Sequence, residues 1–220
     1  IANGDWSTPA NWSTQDYGGI VTTIQPTVTA NVYIGDSKSI TLDGDRTATS
    51  PGVVTVDSSG LFLMQGNILS GTGTFRLEAL GALGIGHASG ITSSGATGNV
   101  QTSTRLYNAG THNRGHFIYT GGATQASGNG LPSTTQTLTV WKTGGTVLTM
   151  GSNIAINDSL HVRSGSLDAS SRTFTIGGNM LVASGAVVTP QTSQFVFSGT
   201  TTQSVSATGA TLVFNNLTIG

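Results

Sequence analysis

The chain has 220 residues, 32 of them glycine and none cysteine, with charged side chains at only 8% of positions and a formal net charge of −1. Glu, Lys and Arg are strong helix formers, so their scarcity argues against a helical or α/β enzyme. The near-neutral balance removes the attraction that dominates nucleic-acid and anionic-membrane binding, and the lack of cysteine excludes disulfides, thiolate metal sites and thiol catalysis. No nucleic-acid partner and no cofactor is therefore expected. No apolar run approaches the roughly 20 residues that cross a bilayer, so membrane insertion is not expected either. Ile1 stands where a Met would begin, with no basic-then-apolar leader, which reads as a mature exported product. Low charge with abundant Thr, Ser and Asn favours a secreted, cell-surface location.

Residues 1–30 read as an N-terminal cap region. Trp6 and Trp12 flank Pro9, and a stack of strands has a bare first turn that something must cover. The indoles either pack across that end or form a platform on which carbohydrate stacks. Aliphatic residues then recur singly at alternate positions, the signature of half-buried strands. Strands are predicted at 32–34, 40–42, 53–56, 61–64, 74–77, 117–119, 137–140, 146–150, 159–162, 172–176, 194–197 and 211–214, and the class is all-β.

The one tight charged group is Asp43-Gly44-Asp45-Arg46. Its acids, two apart, share a face of an extended strand, although Gly44 favours a turn. A structural turn or salt bridge is the first reading, a calcium site or a catalytic pair the alternatives. Polysaccharide cleavage needs paired acid and base groups, and the carboxylates are otherwise scattered. Asp36 and Asp57, 21 apart, are placed to approach on adjacent turns. His112 and His116 have a metal spacing only on a helix, and Gly110 and Gly115 argue for a polar loop. The run 108–116 is read as a lateral protrusion able to carry recognition.

Tyr119-Thr120-Gly121-Gly122-Ala123-Thr124-Gln125 returns 78 positions later as Phe197-Ser198-Gly199-Thr200-Thr201-Thr202-Gln203. Each copy leads into a Leu-Thr-aliphatic strand, at Leu138 and at Leu217, so residues 119–196 read as a unit restarting at 197. Within it Ser164-Gly165-Ser166-Leu167 matches Ser184-Gly185-Ala186-Val187 at a spacing of 20, about one turn of a parallel β-solenoid. Four such turns would make the 78-residue unit. The architecture predicted for 31–220 is thus a right-handed parallel β-helix of about nine or ten turns, roughly 45 Å long. Leu138, Val140, Leu160, Val162, Phe174, Ile176, Phe195 and Phe197 should point inward, and Trp141 should take part in packing. An antiparallel sandwich would need many Asn-Gly or Asp-Gly hairpins, and only Asn3-Gly4, Asp43-Gly44 and Asn129-Gly130 qualify. The chain stops where another unit should begin, which reads as part of a longer protein or as an end that stacks on another copy.

Asn3-Gly4-Asp5-Trp6-Ser7-Thr8-Pro9-Ala10-Asn11-Trp12-Ser13, the run 26–34, Gly90 to Gln101, Gly128-Asn129-Gly130-Leu131-Pro132 and Phe214-Asn215-Asn216-Leu217-Thr218-Ile219 resemble stock phrases of large secreted β-solenoid surface proteins of the Bacteroidota and their relatives. The resemblance covers nearly the whole chain. It implies export by a type IX-like route and display as a structural, adhesin-like surface or filament component. The partners it implies are neighbouring copies or the chain's own continuation, together with surface glycans. It carries over no catalytic residue, and the C-terminal sorting domain usual in such proteins is not expected within these 220 residues. Two alternatives remain: a carbohydrate-binding or polysaccharide-degrading β-helix, and an ice-binding solenoid using the Thr-x-Thr triplets at Thr137 and Thr173.

Overall fold

A computed structural model describes residues 3–14, 23–109, 115–209 and 211–220. Alternation of apolar and polar side chains sends every second residue inward, and parallel pairing then stacks each inward residue on its counterpart one turn away. The longest sheet contains nine strands, Gly4–Asp5, Ser39–Thr41, Leu61–Leu63, Ala82–Ile85, His116–Tyr119, Thr137–Trp141, Leu160–Ser164, Met180–Val182 and Val205–Ala207, each paired in parallel with the next. In the C-terminal half four successive turns each add one strand to both of two further sheets, and the last adds one to the second alone. One sheet holds Gln125–Ala126, Val147–Thr149, Ser166–Asp168 and Val187–Thr189. The other holds Thr134–Thr135, Ile154–Ile156, Thr173–Ile176, Gln194–Phe197 and Asn216–Ile219. The fold is an all-β parallel solenoid of three strands per turn.

Nine stacked strands enclose about eight turns, fewer than the nine or ten expected, and a rise of about 4.8 Å per turn gives a length of about 38 Å. The physical reason lies in two long turns. Ile40, Phe62, Leu83, Phe117, Leu138, Leu160, Met180 and Val205 form one column. Neighbours in it lie 20 to 25 residues apart, except for 34 between Leu83 and Phe117, and 36 residues separate Gly4 from Ile40 below it. The N-terminal half also differs in form. Leu69–Glu78 is a ten-residue strand that rounds a corner at Gly71, its first part pairing with Arg46–Thr47 and its second with Val53–Val56. Gly71 has φ +106°, and a Cβ there would collide with the Ala48 carbonyl. Eleven of the twelve expected strands fall on observed ones, and residues 211–214 form none; strands that were not expected include Ala82–Ile85, Val100–Ala109, Ile154–Ile156, Ser166–Asp168, Met180–Val182, Val187–Thr189, Val205–Ala207 and Asn216–Ile219, the last pairing Leu217 with Phe195.

All eight residues expected to point inward are buried. Columns of like residues result, such as Tyr119, Val140, Val162 and Val182. Phe174 and Phe195 stack with ring centroids 4.8 Å apart and planes 9° apart, a separation equal to the strand spacing itself.

The 78-residue repeat does not span a whole number of turns. Tyr119 lies in the nine-stranded sheet and Phe197 in another, so the four-turn unit is not present. What recurs is a corner. Gln125 Nε2 donates to the carbonyls of Ile85 and His87, at 3.1 and 2.8 Å. Gln203 Nε2 donates to those of Ile176 and Gly178, at 2.9 and 2.7 Å. Ile85 and Ile176 are the register partners of Tyr119 and Phe197. In both copies, therefore, a Gln six residues on reaches back to the preceding turn and satisfies the carbonyls left over where the chain leaves the ladder. Asn99 does the same elsewhere: its amide donates to the Gln65 and Asn67 carbonyls and its oxygen accepts from the Gly86 and His87 N–H groups.

The first copy carries an addition. Gln125 Oε1 accepts from Lys142 Nζ at 2.7 Å, whereas Gln203 Oε1 accepts from the Gly199 N–H. Lys142 is 1% exposed, and burial lowers its pKa to about 8. A lysine whose folded pKa lies below its unfolded value of about 10.4 favours the unfolded state while it stays charged, so stability rises with pH between the two values. Denaturant titrations should show the wild type gaining about 2 kcal/mol between pH 7.5 and 9.5, with Lys142→Met flat across that range. A wild-type curve as flat as the variant's would contradict the buried lysine.

Candidate functional site

The charged cluster is structural in its geometry. The Asp43 carboxylate accepts from the Ser7 hydroxyl and, at 3.2 Å, from the Ser7 N–H, and pairs with Arg46 Nη2 at 3.1 Å. Asp45 Oδ1 accepts from the Ile68 N–H at 2.9 Å. One acid thus serves the N-terminal segment and the other the following turn. Burial pushes the Asp43 pKa up, but the Ser7 hydroxyl, backbone N–H groups and the Arg46 charge outweigh it, and the net shift is downward. Its contribution to stability is complete above the unfolded value near 4 and is lost as pH falls through the lowered folded value.

Trp6 and Trp12 are 4% and 6% exposed, their rings meet edge to face at 4.9 Å, and Trp6 lies against Phe62 at 5.7 Å. Trp12 Nε1 donates to the Trp6 carbonyl at 2.8 Å, and a 3-10 turn at Pro9–Asn11 joins them. Neither ring presents an open face to a sugar. Asp57 falls over Gly35 and not over Asp36, because Val56 pairs with Ile34. His112 lies outside the described residues, as does most of the run 108–116. His116 is not in a loop: it opens the strand His116–Tyr119 and its Nδ1 meets Thr137 Oγ1 at 2.8 Å. The two Thr-x-Thr triplets lie in different sheets, so they share no face. Among the described residues no three His, Asp or Glu side chains gather as metal ligands do.

Trp141 is the residue whose position departs most from expectation. It is 52% exposed on the outer face of the nine-stranded sheet and takes no part in the core. Parity explains it, since Leu138, Val140 and Lys142 all point inward. Just beyond Val140 the register of the sheet breaks: Val140 pairs with Val162, but Trp141 pairs with Ser164, leaving Arg163 as an extra, bulged residue. Bulges re-aim side chains, and here the Arg163 guanidinium stands over the indole, 5.8 Å from its centroid. A groove of about 380 Å³ adjoins the pair, lined among others by His161, Arg163, Leu181, Ser184, Ser206 and Thr208. Burial lowers the His161 pKa, the Arg163 charge lowers it further and Asp158 opposes both, so the imidazole is uncharged at neutral pH and offers one donor and one acceptor. The arrangement joins an exposed aromatic face, a cation, a neutral imidazole and three hydroxyl-bearing residues on successive turns. None of these groups forms a recognisable sequence motif. The available signal was the odd-numbered offset of Trp141 from the inward Leu138.

If Trp6 and Trp12 close the column and Trp141 stands outside it, truncation should separate them. Trp6→Ala and Trp12→Ala should each lower unfolding free energy by about 3 kcal/mol, and Trp141→Ala by no more than about 0.5 kcal/mol, in denaturant titrations. A Trp141→Ala cost equal to that of Trp6→Ala would contradict these placements. Comparison with known proteins adds no family assignment: no protein-family model, no curated protein and no solved structure matches the chain.

Proposed function

We propose that the protein is an extracellular structural or adhesive surface component, a stiff solenoid that holds distance and presents polar faces for many weak contacts. The observation that carries this reading is the continuous parallel ladder, which runs from Gly4 to Val205 in one sheet over a single apolar core. Such a body is a rod whose outer rows are free to vary while its inner rows are not. The low charge and Thr/Ser/Asn-rich composition agree with a secreted location. The resemblance to secreted solenoid proteins of the Bacteroidota points the same way and would supply a type IX-like export route. Partners on this reading are glycans and further turns of the same kind. We assign no catalytic step, because Asp43 and Asp45 are engaged with Ser7, Arg46 and Ile68.

A carbohydrate-binding role is the second reading, favoured specifically by the exposed Trp141 beside Arg163. Multivalency makes the main proposal testable. Clustering the protein on beads should raise its apparent affinity for a glycan-coated surface by about 100-fold or more over the free monomer, since linked weak sites gain avidity without new contacts. Equal retention of monomer and clusters would contradict the proposal, as would sustained turnover of a polysaccharide that disappears in Asp43→Asn.

A further inference from the structure

The geometry points to the groove beside Trp141 as a subsite for a carboxylate-bearing sugar, a uronic acid unit within an extended polysaccharide. This deepens the adhesive reading and rests on it. Four features of the site converge.

The first is the bulge. Across its nine strands the long sheet has one register shift, between Val140 and Trp141, and the residue it ejects is Arg163. Bulges are uncommon in parallel pairing, and this one places a cation over the outward indole. The second is the state of that cation. Arg46 and Arg76 pair with Asp43 and Glu78, and Arg105 donates to the Thr102 and Ser93 carbonyls. Arg163 is exposed, and among the described residues no carboxylate lies within 4.0 Å of it. Its contact is the Trp141 ring, at a distance near the outer limit for cation–π attraction. The planar fork of donors is left free for a planar carboxylate, which guanidinium binds through two parallel hydrogen bonds.

The third feature is the indole. A large flat ring, half exposed next to a polar group, suits the C–H face of a pyranose while the hydroxyls around the sugar meet polar neighbours. Leu181, also exposed, extends this apolar floor. The fourth is spacing. His161, Leu181 and Ser206 are register partners on successive turns of one sheet, and Trp141 stands on the turn before them, two residues beyond Thr139, which pairs with His161; the rise of about 4.8 Å between turns is close to the length of one pyranose unit in an extended chain. A glycan lying along the solenoid axis would meet Trp141 and Arg163 with one unit and the His161, Ser206 and Thr208 polar groups with the next ones.

Titration calorimetry with α-1,4-linked trigalacturonate and with its fully methyl-esterified form separates charge from shape. Wild-type protein should bind the acid with Kd below about 1 mM and the ester at least tenfold more weakly. Arg163→Gln should weaken acid binding about tenfold, to the level of the ester, and leave ester binding unchanged. Trp141→Ala should abolish measurable binding of both. Thermal unfolding of the two variants should match wild type, which guards against loss by misfolding. No binding of the acid by wild type, equal affinity for acid and ester, or an unaltered Arg163→Gln would overturn the assignment. Bead-clustered protein distinguishes the two levels. Clusters that bind glycan surfaces equally with and without Arg163→Gln and Trp141→Ala would leave the adhesive reading standing and remove this site. Clusters that bind no glycan would remove both.

Discussion

Every backbone N–H and C=O of one turn has to be met by the turn beside it, at about 4.8 Å, and the rest of the structure follows from that demand. A strand that pairs on both sides gains a residue only where the register breaks, as Leu160–Ser164 does at Arg163. Most variation in turn length is therefore pushed to the corners. Between Leu83 and Phe117 the extra chain departs and returns at a corner whose base Asn99 closes, bonding Gln65 and Asn67 on one side and Gly86 and His87 on the other. Gln125 and Gln203 perform the same service at other corners. A side-chain amide suits this task because it carries both donors and an acceptor on one rigid plane.

The same demand makes burial a property of neighbouring turns and not of residue type. Phe195 and Phe197 are buried, yet Leu217 and Ile219, their register partners in the last strand, are 47% and 76% exposed. Val205, the next member of the column containing Met180, is 47% exposed as well. At the other end Trp6 and Trp12 lie over Phe62 and the first turns. Stability in such a molecule is close to a sum of turn-to-turn terms. An imperfect contact such as the buried Lys142 is tolerated because its cost stays local. Outward positions carry no such obligation, which is why an unusual combination like Trp141, Arg163 and His161 can accumulate there.

The sequence was most legible where apolar residues alternate cleanly. The strands Val32–Ile34, Val53–Val56 and Gln194–Phe197 match their expected bounds. Other strands were hidden. Ala82–Ile85 places a glycine outward, and Val100–Ala109 is mostly polar, so neither shows the usual pattern. The 78-residue repeat was real as sequence but misleading as geometry. It encodes a corner that bonds the turn before it, and such a corner can be placed between any two sheets. The cluster at Asp43 and the Trp6–Trp12 pair stood out because charge and indole are rare in this chain, and both turn out to be tied into neighbouring turns. The groove was not legible as a site, because its residues are some 20 positions apart and only the register brings them together.

Amide hydrogen exchange tests the axial pairing most directly. If turns are joined by ladders with variation placed mainly at corners, the amides of 138–140, 160–162 and 174–176 should be the slowest to exchange. Those of 121–124 and 200–202 should exchange at nearly unprotected rates. Exchange at 138–140 as rapid as at 121–124 would contradict the parallel solenoid on which the account is built.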